Sequence, residues 1–263
     1  MPITPTLQFE HTFWWRGLAR VAGVDEAGRG AWAGPVVAGA VILPRVHRIK
    51  AWWLNDALRA LEHARDSKLL SPAQRDALYE PIRAHALAAA TGLATNDEID
   101  ALGIVPATRL AMQRALDALT ITPDALLIDA VKLREVHLPQ KAIIRGDQLS
   151  LSIACASILA KVTRDRMMIE LDAQLPGYGF ARHKGYGTAA HQAALAKLGA
   201  SRAHRVSFAP VKQQVDKETG KQVAPVYLFP CLPATQIAAG SRKNRNAVKI
   251  IILKSNQSDQ CST

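Results

Sequence analysis

The 263-residue sequence contains few cysteines and no long apolar run. No stretch approaches the roughly 18–20 apolar residues that a membrane-spanning helix requires, which argues against a membrane protein. The N-terminus lacks a basic segment followed by an apolar core, so we do not expect secretion. The three cysteines (Cys155, Cys231 and Cys261) are odd in number and far apart, which predicts neither a disulfide framework nor a zinc site. These absences together favour a cytoplasmic protein.

The sequence also contains fewer acidic than basic residues. It has 22 Asp and Glu residues and 33 Lys and Arg residues, which gives a net charge of +11. Residues 212–263 hold eight basic and three acidic residues, so part of the excess lies at the C-terminus. A basic protein favours a polyanionic partner such as nucleic acid. The alternative is a protein that its charge keeps soluble, and charge alone does not separate a nuclease from a polymerase, a ribosomal protein or a membrane-surface binder.

Hydrophobic patterning predicts an α/β domain with a mixed sheet, between an irregular N-terminal extension at residues 1–19 and a basic C-terminal extension at residues 213–263. The strands are predicted near residues 20–24, 36–43, 87–95, 124–129 and 142–144, the last two as buried strands. The helices are predicted from Ser71 with a bend or stop near Pro81, over residues 99–119, and over residues 150–175.

Four carboxylates lie at predicted strand ends or loop edges: Asp25, Glu26, Asp129 and Asp147. Functional groups of α/β sheets gather beyond the strand ends. Carboxylates that converge there cannot all stay ionised without cations between them, and oxygen ligands favour Mg²⁺ or Mn²⁺ over zinc. Two such ions would support phosphodiester hydrolysis. The alternative is that these acids are solvated, or that Asp147 caps a helix.

Asp25 and Glu26 are neighbours, and neighbours in a regular strand face opposite sides of the sheet. Both reach one site if the chain leaves β geometry at Glu26, which the following Ala-Gly-Arg-Gly permits. Asp165 lies about 22 Å along the last predicted helix from its start, a distance that argues against a place in the same site. A surface charge cluster with the adjacent arginines, or an internal salt bridge, explains Asp165 better.

The segment Gly28-Arg29-Gly30 can bring backbone amides close to a phosphate or sugar, although a tight turn explains it equally well. It matches neither the Walker nor the Rossmann pattern. Tyr186 lies between two glycines, which suits stacking on a sugar or base, and a structural role is as common. Four basic residues are candidates for phosphate contacts, with a solvated charge as the alternative for each. They are Arg45, Lys68, Arg145 and Lys184.

Eight blocks of the sequence occur in the order found in one known family and cover about residues 20–212. They are VAGVDEAGRGAWAGPVVAGAVIL (21–43), DSKLLS (66–71), EIDALGIVPATRLAM (98–112), LID (127–129), RGD (145–147), IACASILAKVTRDR (153–166), HKGYGT (183–188) and HRVSFAPV (204–211). Together they resemble ribonuclease HII, the bacterial type 2 ribonuclease H.

The resemblance implies a ribonuclease H-like fold, an α/β five-stranded mixed sheet flanked by helices with a helical C-terminal part. It implies an endoribonuclease that cuts the RNA strand of RNA–DNA hybrids and cuts 5′ of single ribonucleotides embedded in duplex DNA, leaving 3′-hydroxyl and 5′-phosphate ends through two metal ions. The implied metal and catalytic residues are Asp25, Glu26, Asp129 and Asp147. The implied substrate-binding residues are Gly28, Arg29 and Gly30 at the ribose 2′-hydroxyl, Tyr186 at the neighbouring deoxyribose, and Lys68.

The sequence departs from the family pattern at four places. Ala31-Trp32 follows the glycines where a smaller or proline-containing pair is usual, which leaves the loop shape open. Leu69 and Arg145 stand where Lys is common, and Cys155 stands where Ala is common. We expect these changes to affect substrate affinity or packing rather than the mechanism.

Two other functions remain open from the sequence. One is a non-catalytic protein that binds RNA–DNA hybrids, and the other is a different two-metal phosphoryl-transfer enzyme of related fold. We expect a monomer. Residues 213–263 match nothing in the family, so a replication partner for this extension is a further hypothesis.

Overall fold

The computed structural model describes residues 4–46 and 56–217. The strands are β1 (Val21–Ala27), β2 (Val36–Ile42), β3 (Ala88–Ala94), β4 (Ala125–Asp129) and β5 (Gln140–Ile143). The helices are α1 (Gln8–Trp14), α2 (Asp56–Arg59), α3 (Pro72–His85), α4 (Asn96–Leu102), α5 (Ile104–Asp117), α6 (Gly146–Leu149), α7 (Leu151–Gln174), α8 (Phe180–His183), α9 (Ala189–Leu198) and α10 (Ala209–Lys217). A 3₁₀ turn covers Ser67–Leu69.

The five strands form one sheet in the order β3-β2-β1-β4-β5. β1 pairs with β2 in antiparallel register, β2 pairs likewise with β3, and β4 and β5 run parallel to β1. The predicted mixed sheet is confirmed. The parallel half brings the carboxyl ends of β1, β4 and β5 to one edge, where functional groups collect in such sheets.

Alternating residues of the central strands supply two separate hydrophobic cores, one on each face of the sheet. On one face, Val21 and Leu127 pack with Ile153 of α7. On the other face, Val24 and Ile128 pack with Met112 of α5. This division follows from the two-residue period of a strand, which sends successive side chains to opposite sides.

Helix α7 lies unusually close to the sheet because glycines face it. A Cβ built on Gly23 of β1 would overlap the backbone of Ser152, and one on Gly39 of β2 would overlap Ala156. A larger residue at either strand position would push α7 away from the sheet. The predicted helix over 150–175 is confirmed, with Ser150 as its N-cap.

The N-terminal extension is not irregular as predicted, since it contains helix α1. Glu10 of α1 is fully buried and accepts hydrogen bonds from Ser150 Oγ (2.7 Å), Ser152 N (2.9 Å) and Ser152 Oγ (2.7 Å). A carboxylate at a helix N-terminus satisfies amide groups that have no partner within the helix. The extension therefore helps to fix the start of α7.

Three helix and strand predictions need correction. Helix α3 does not stop at Pro81 but continues to His85, with Ile82 buried against the core. The predicted segment 99–119 is divided at Gly103, whose φ of +82° ends α4 and starts α5. Strand β5 is largely unburied, because it lies at the edge of the sheet.

The last residues of the described chain, up to Lys217, form α10. The remainder of the predicted C-terminal extension lies outside the described residues. No helix in the described part of the chain combines the length and apolar character needed to cross a membrane.

Candidate active site

Three of the four carboxylates lie on the two adjacent central strands, β1 and β4. Val24 pairs with Ile128 in parallel register, so Asp25 and Asp129 occupy equivalent positions one residue further along. The expectation that the chain leaves β geometry at Glu26 is wrong, because β1 continues through Ala27 and Glu26 pairs with Ala38 of β2. The pairing with β2 continues the strand through this point, yet Glu26 lies close enough to Asp25 for its charge to raise the pKa of Asp25.

Asp147 reaches the same edge of the sheet through the turn that follows β5. Asp129 Oδ1 accepts a hydrogen bond of 2.7 Å from Gly146 N, which ties the end of β4 to the start of α6. A Cβ at Gly146 would collide with Ile153 Cδ1, so a glycine permits this close approach. Asp147 is the next residue, is buried, and lies in α6 rather than capping α7.

Burial and repulsion from neighbouring carboxylates raise the pKa of all four carboxyl groups. Burial is the largest cause for Asp25, whose pKa lies well above its ordinary value, followed by the charges of Glu26 and Asp129. Burial also raises the pKa of Asp147 to about 6, with added repulsion from Asp66 and Asp129. A cluster of this kind is stabilised by cations.

The pKa values of Glu26 and Asp129 are also raised by burial. Burial raises the pKa of Glu26, and Arg29 opposes the rise with a contact of 3.3 Å between Arg29 Nη1 and Glu26 Oε1. Burial likewise raises the pKa of Asp129, which the hydrogen bond from Gly146 opposes. Within the described residues, Glu26 Oε2 is buried and has no hydrogen-bond partner.

The donor chemistry of this edge fits a hard divalent cation, because its ligands are carboxylate oxygens and one of them is buried without a partner. As the side chains stand, however, no three His, Cys, Asp or Glu residues in the described part of the chain already form a metal-holding cluster. Binding of an ion would therefore require the carboxylates to turn toward it.

The sheet edge that carries Asp25, Glu26, Asp129 and Asp147 is here called the acidic edge. Lys68 lies beside it, with its Nζ 3.9 Å from Asp147 Oδ2. Although partial burial lowers it, the charges of Asp147 and Asp66 raise the pKa of Lys68 overall. The Lys68 side chain is 80% exposed, so its ammonium faces solvent and is open to a phosphate. Asp66, which the sequence reasoning missed as a neighbour of Asp147, caps the turn by accepting a hydrogen bond from Lys68 N (2.9 Å).

The loop of residues 28–35, here called the GRG loop, follows β1 directly. Gly28 adopts a φ of +91°, a conformation that favours glycine. A Cβ at Gly28 would overlap the Arg164 guanidinium, whereas Gly30 has no atom of the described residues within 4 Å of such a position. Gly28 is therefore enclosed by the protein and Gly30 faces open space.

Tyr186 lies in the turn of residues 184–187, here called the tyrosine turn, which is bonded to the GRG loop. Trp32 N donates to Gly185 O at 2.8 Å. The Trp32 side chain packs where a Cβ of Gly187 would otherwise be, which explains how this departure from the family pattern fits. Tyr186 is 36% exposed, so part of its ring is open to solvent.

Two arginines that support these loops were missed as functional candidates. Arg164 and Arg205 are both fully buried and donate hydrogen bonds to carbonyl oxygens of the GRG loop. The prediction of a surface charge cluster is therefore wrong for Arg164. Nothing local in the sequence signals their burial, because Arg164 lies in the charged segment KVTRDR (161–166) and a charge is rarely buried without a specific set of partners.

Asp165 takes no part in the acidic edge, as the helix distance predicts. It bonds Lys161 Nζ at 2.7 Å and lies 3.8 Å from Arg75 Nη2, which confirms the internal salt bridge. Cys155 is buried in the core, in agreement with the packing role expected from the sequence.

A family model described as Ribonuclease HII matches residues 22–211 of this chain. Two curated relatives, both called Ribonuclease HII, come from Dehalococcoides mccartyi and Chloroflexus aurantiacus. The first is 50% identical over 214 residues, covering 81% of this chain and 97% of the relative. The second is 54% identical over 208 residues, covering 79% and 94%. The crystal structure of the ribonuclease H2 from Pyrococcus horikoshii OT3 superimposes with a TM-score of 0.60 at 25% identity, covering 75% of this chain and 98% of that one.

Proposed function

Because the chain belongs to the ribonuclease HII family, we propose that it cuts RNA–DNA hybrids and also duplex DNA that carries a single ribonucleotide. The chain is a metal-dependent ribonuclease of the H type, with the ribonuclease H-like fold. The cut falls on the 5′ side of the ribonucleotide and leaves 3′-hydroxyl and 5′-phosphate ends. The observation that carries this proposal is the convergence of buried, mutually repelling carboxyl groups at one sheet edge.

Asp25, Glu26, Asp129 and Asp147 are the residues that would hold the divalent ions in this proposal. When bound, two Mg²⁺ or Mn²⁺ ions would neutralise the negative charge that develops on the phosphate oxygens during hydrolysis. The chain contributes carboxylate acceptors for the ions at one sheet edge, and Gly146 N holds the Oδ1 atom of Asp129. Lys68 adds a positive charge that can hold a substrate phosphate beside Asp147.

Recognition of RNA is assigned to the GRG loop and to Tyr186. The 2′-hydroxyl distinguishes RNA from DNA, and the open space at Gly30 allows the backbone to approach it closely. The partly exposed ring of Tyr186 supplies a surface on which the neighbouring deoxyribose can pack. Basic residues supply further affinity that weakens with salt.

The decisive experiment replaces Asp129 by Asn and measures cleavage of a DNA duplex that carries one ribonucleotide, with the cut site mapped. We expect Asp129→Asn to lower cleavage by at least 100-fold, on the order of the loss when a charge-stabilising group is removed from an active site, and to leave duplex binding largely intact. Asp124→Asn is the matched control, because Asp124 lies just before the same strand and pairs with Arg20.

Four results would contradict the proposal. The first is cleavage by Asp129→Asn at the rate of the unmodified protein. The second is cleavage that persists in EDTA. The third is efficient cutting of DNA without any ribonucleotide, which would favour another two-metal phosphoryl-transfer enzyme. Binding without cleavage in Mg²⁺ or Mn²⁺ would favour a non-catalytic hybrid-binding protein.

Four further points stay predictions. They are the use of Mg²⁺ or Mn²⁺, the monomeric state, the cytoplasmic location and a replication partner for residues 213–263. The partner hypothesis concerns a segment that lies almost entirely outside the described residues.

A further inference from the structure

We propose that Arg164 and Arg205 are positioning residues that hold the GRG loop in the conformation that recognises a ribonucleotide. This inference rests on the proposed function, because it assigns the discrimination between RNA and DNA to a loop and then asks what fixes that loop. Neither arginine belongs to the acidic edge or to the substrate-binding set described above.

Arg205 binds both ends of the GRG loop through three of its nitrogen atoms. Its Nη2 donates to Gly28 O at 2.8 Å, its Nη1 to Arg29 O at 3.0 Å, and its Nε to Gly34 O at 3.0 Å. One planar guanidinium thus bridges both ends of the loop. Because the N–H donors of a guanidinium lie in one plane and point in different directions, one arginine can hold three carbonyl groups at once.

Arg164 binds the end of the same loop and joins it to the tyrosine turn. Its Nε donates to Pro35 O at 2.9 Å, its Nη2 to Ala33 O at 3.1 Å, and its Nη1 to Lys184 O at 2.9 Å. The guanidinium carbon also lies 5.4 Å from the centre of the Tyr186 ring. Arg164 therefore connects the two elements assigned to substrate recognition.

The burial of these two cations is unusual, because all six of these hydrogen bonds go to carbonyl oxygens and none goes to a carboxylate. Taking a cation out of water is costly unless its donors are satisfied. The charge on Arg164 also repels that on Arg205. Two apolar residues would fill this space without that cost. We therefore infer that the arginines are present for the hydrogen bonds that they donate to the loop carbonyls.

The orientation of the carbonyls determines which groups the loop shows to solvent. In a trans peptide, the C=O of one residue and the N–H of the next point in opposite directions. Because Arg205 holds Gly28 O and Arg29 O, the N–H groups of Arg29 and Gly30 point away from it. Neither N–H has a partner among the described residues. They are donors held ready for an oxygen of the substrate.

The test measures a ratio of affinities in the Asp129→Asn background, so that the duplex is not cut. Binding in Mg²⁺ is compared between a DNA duplex that carries one ribonucleotide and the same duplex made only of DNA. We expect Arg164→Lys and Arg205→Lys each to lower this ratio about tenfold, since one ammonium cannot replace a planar set of donors. A partly unfolded sample binds less of both duplexes, so partial unfolding leaves the ratio unchanged.

Arg114→Lys is the matched control, because Arg114 also donates to a main-chain carbonyl, Leu93 O, at 2.8 Å. It lies on α5 and bonds Glu98. We expect this variant to keep the affinity ratio of the parent. A loss in Arg114→Lys equal to that in the two loop variants would overturn the proposal.

The outcomes distinguish a failure of the proposed function from a failure of the positioning role of the two arginines. A parent protein that binds both duplexes equally contradicts the proposed function. A parent that prefers the ribonucleotide, combined with lysine variants that keep the same preference, overturns the positioning role alone. If Arg164→Lys and Arg205→Lys both fail to fold by circular dichroism, the arginines serve global stability, and the positioning role is also overturned.

Discussion

At the scale of single residues, Tyr186 is placed between cations and solvent. Lys161 Nζ lies 5.7 Å from the centre of its ring, and the guanidinium of Arg164 lies 5.4 Å from it. The electron-rich ring attracts both cations, which helps to orient it. The remaining part of the ring is exposed to solvent.

We predict that Tyr186→Ala lowers kcat/KM on a duplex with one ribonucleotide by about tenfold, because stacking of this kind contributes about 1–3 kcal/mol. Tyr186→Phe should keep most of the activity, since the ring is retained. Steady-state cleavage kinetics of both variants check the prediction. Equal losses in the two variants would show that the hydroxyl matters and the ring does not.

At the scale of elements, helix α7 organises the site. It packs on β1 and β2, its N-terminus is held by Glu10, and it carries Arg164 to the GRG loop. Ser157 of α7 also donates to Asp25, which opposes the rise in the pKa of that carboxyl caused by burial. The position of α7 therefore affects both the acidic edge and the GRG loop.

We predict that Gly23→Ala lowers the free energy of unfolding by about 2 kcal/mol, a typical cost of forcing extra volume into a packed interior. The added methyl would overlap the backbone at Ser152, which side-chain rotation cannot relieve. Urea denaturation measures the change. Gly30→Ala is the control, because no atom of the described residues lies within 4 Å of its new methyl. Similar losses in both variants would refute the explanation from close packing.

At the scale of the whole molecule, a chain of buried histidines links the C-terminal helices to the tyrosine turn. Ser201 N donates to His204 Nδ1 at 3.0 Å, so the proton of neutral His204 lies on Nε2. That nitrogen is 3.0 Å from His191 Nε2, and His191 Nδ1 in turn donates to Tyr186 O at 3.0 Å. Each histidine is thus neutral and has a defined tautomer.

Burial is the main reason why the pKa of His204 is lowered to about 3 and that of His191 to about 4. An unfolded histidine takes up its proton near pH 6.5. Between about pH 6.5 and pH 4 the unfolded state therefore binds more protons at these positions than the folded state does. Their contribution to stability is present at neutral pH and is lost as the pH falls through this window.

We predict that His191→Gln and His204→Gln each reduce the loss of unfolding free energy between pH 7 and pH 5, relative to the unmodified protein. Comparing variants with the parent is necessary, because the raised pKa values of carboxyls such as Asp147 act in the opposite direction. Urea denaturation at each pH provides the measurement. An unchanged pH dependence in both variants would show that these histidines are not the groups responsible.

The sequence by itself determined the order of most strands and helices, since apolar periodicity and capping residues such as Ser71 and Thr95 act locally. The carboxylates were also identifiable from their positions at strand ends, and the motif blocks indicated the family that the comparisons confirm. The same local reasoning misplaced the end of β1, because the pairing of Glu26 with Ala38 depends on the next strand, β2, and not on the residues adjacent to Glu26.

The tertiary structure alone decided which side chains meet. Nothing in the sequence near Arg164 or Arg205 reveals that their donors reach carbonyls more than 120 residues away, at Pro35 and Gly28. Glu10 likewise finds its partners on α7 through the packing of the whole domain. The physical reason is that burial and long-range hydrogen bonds arise from the complete fold, whereas helix and strand preferences arise from neighbouring residues.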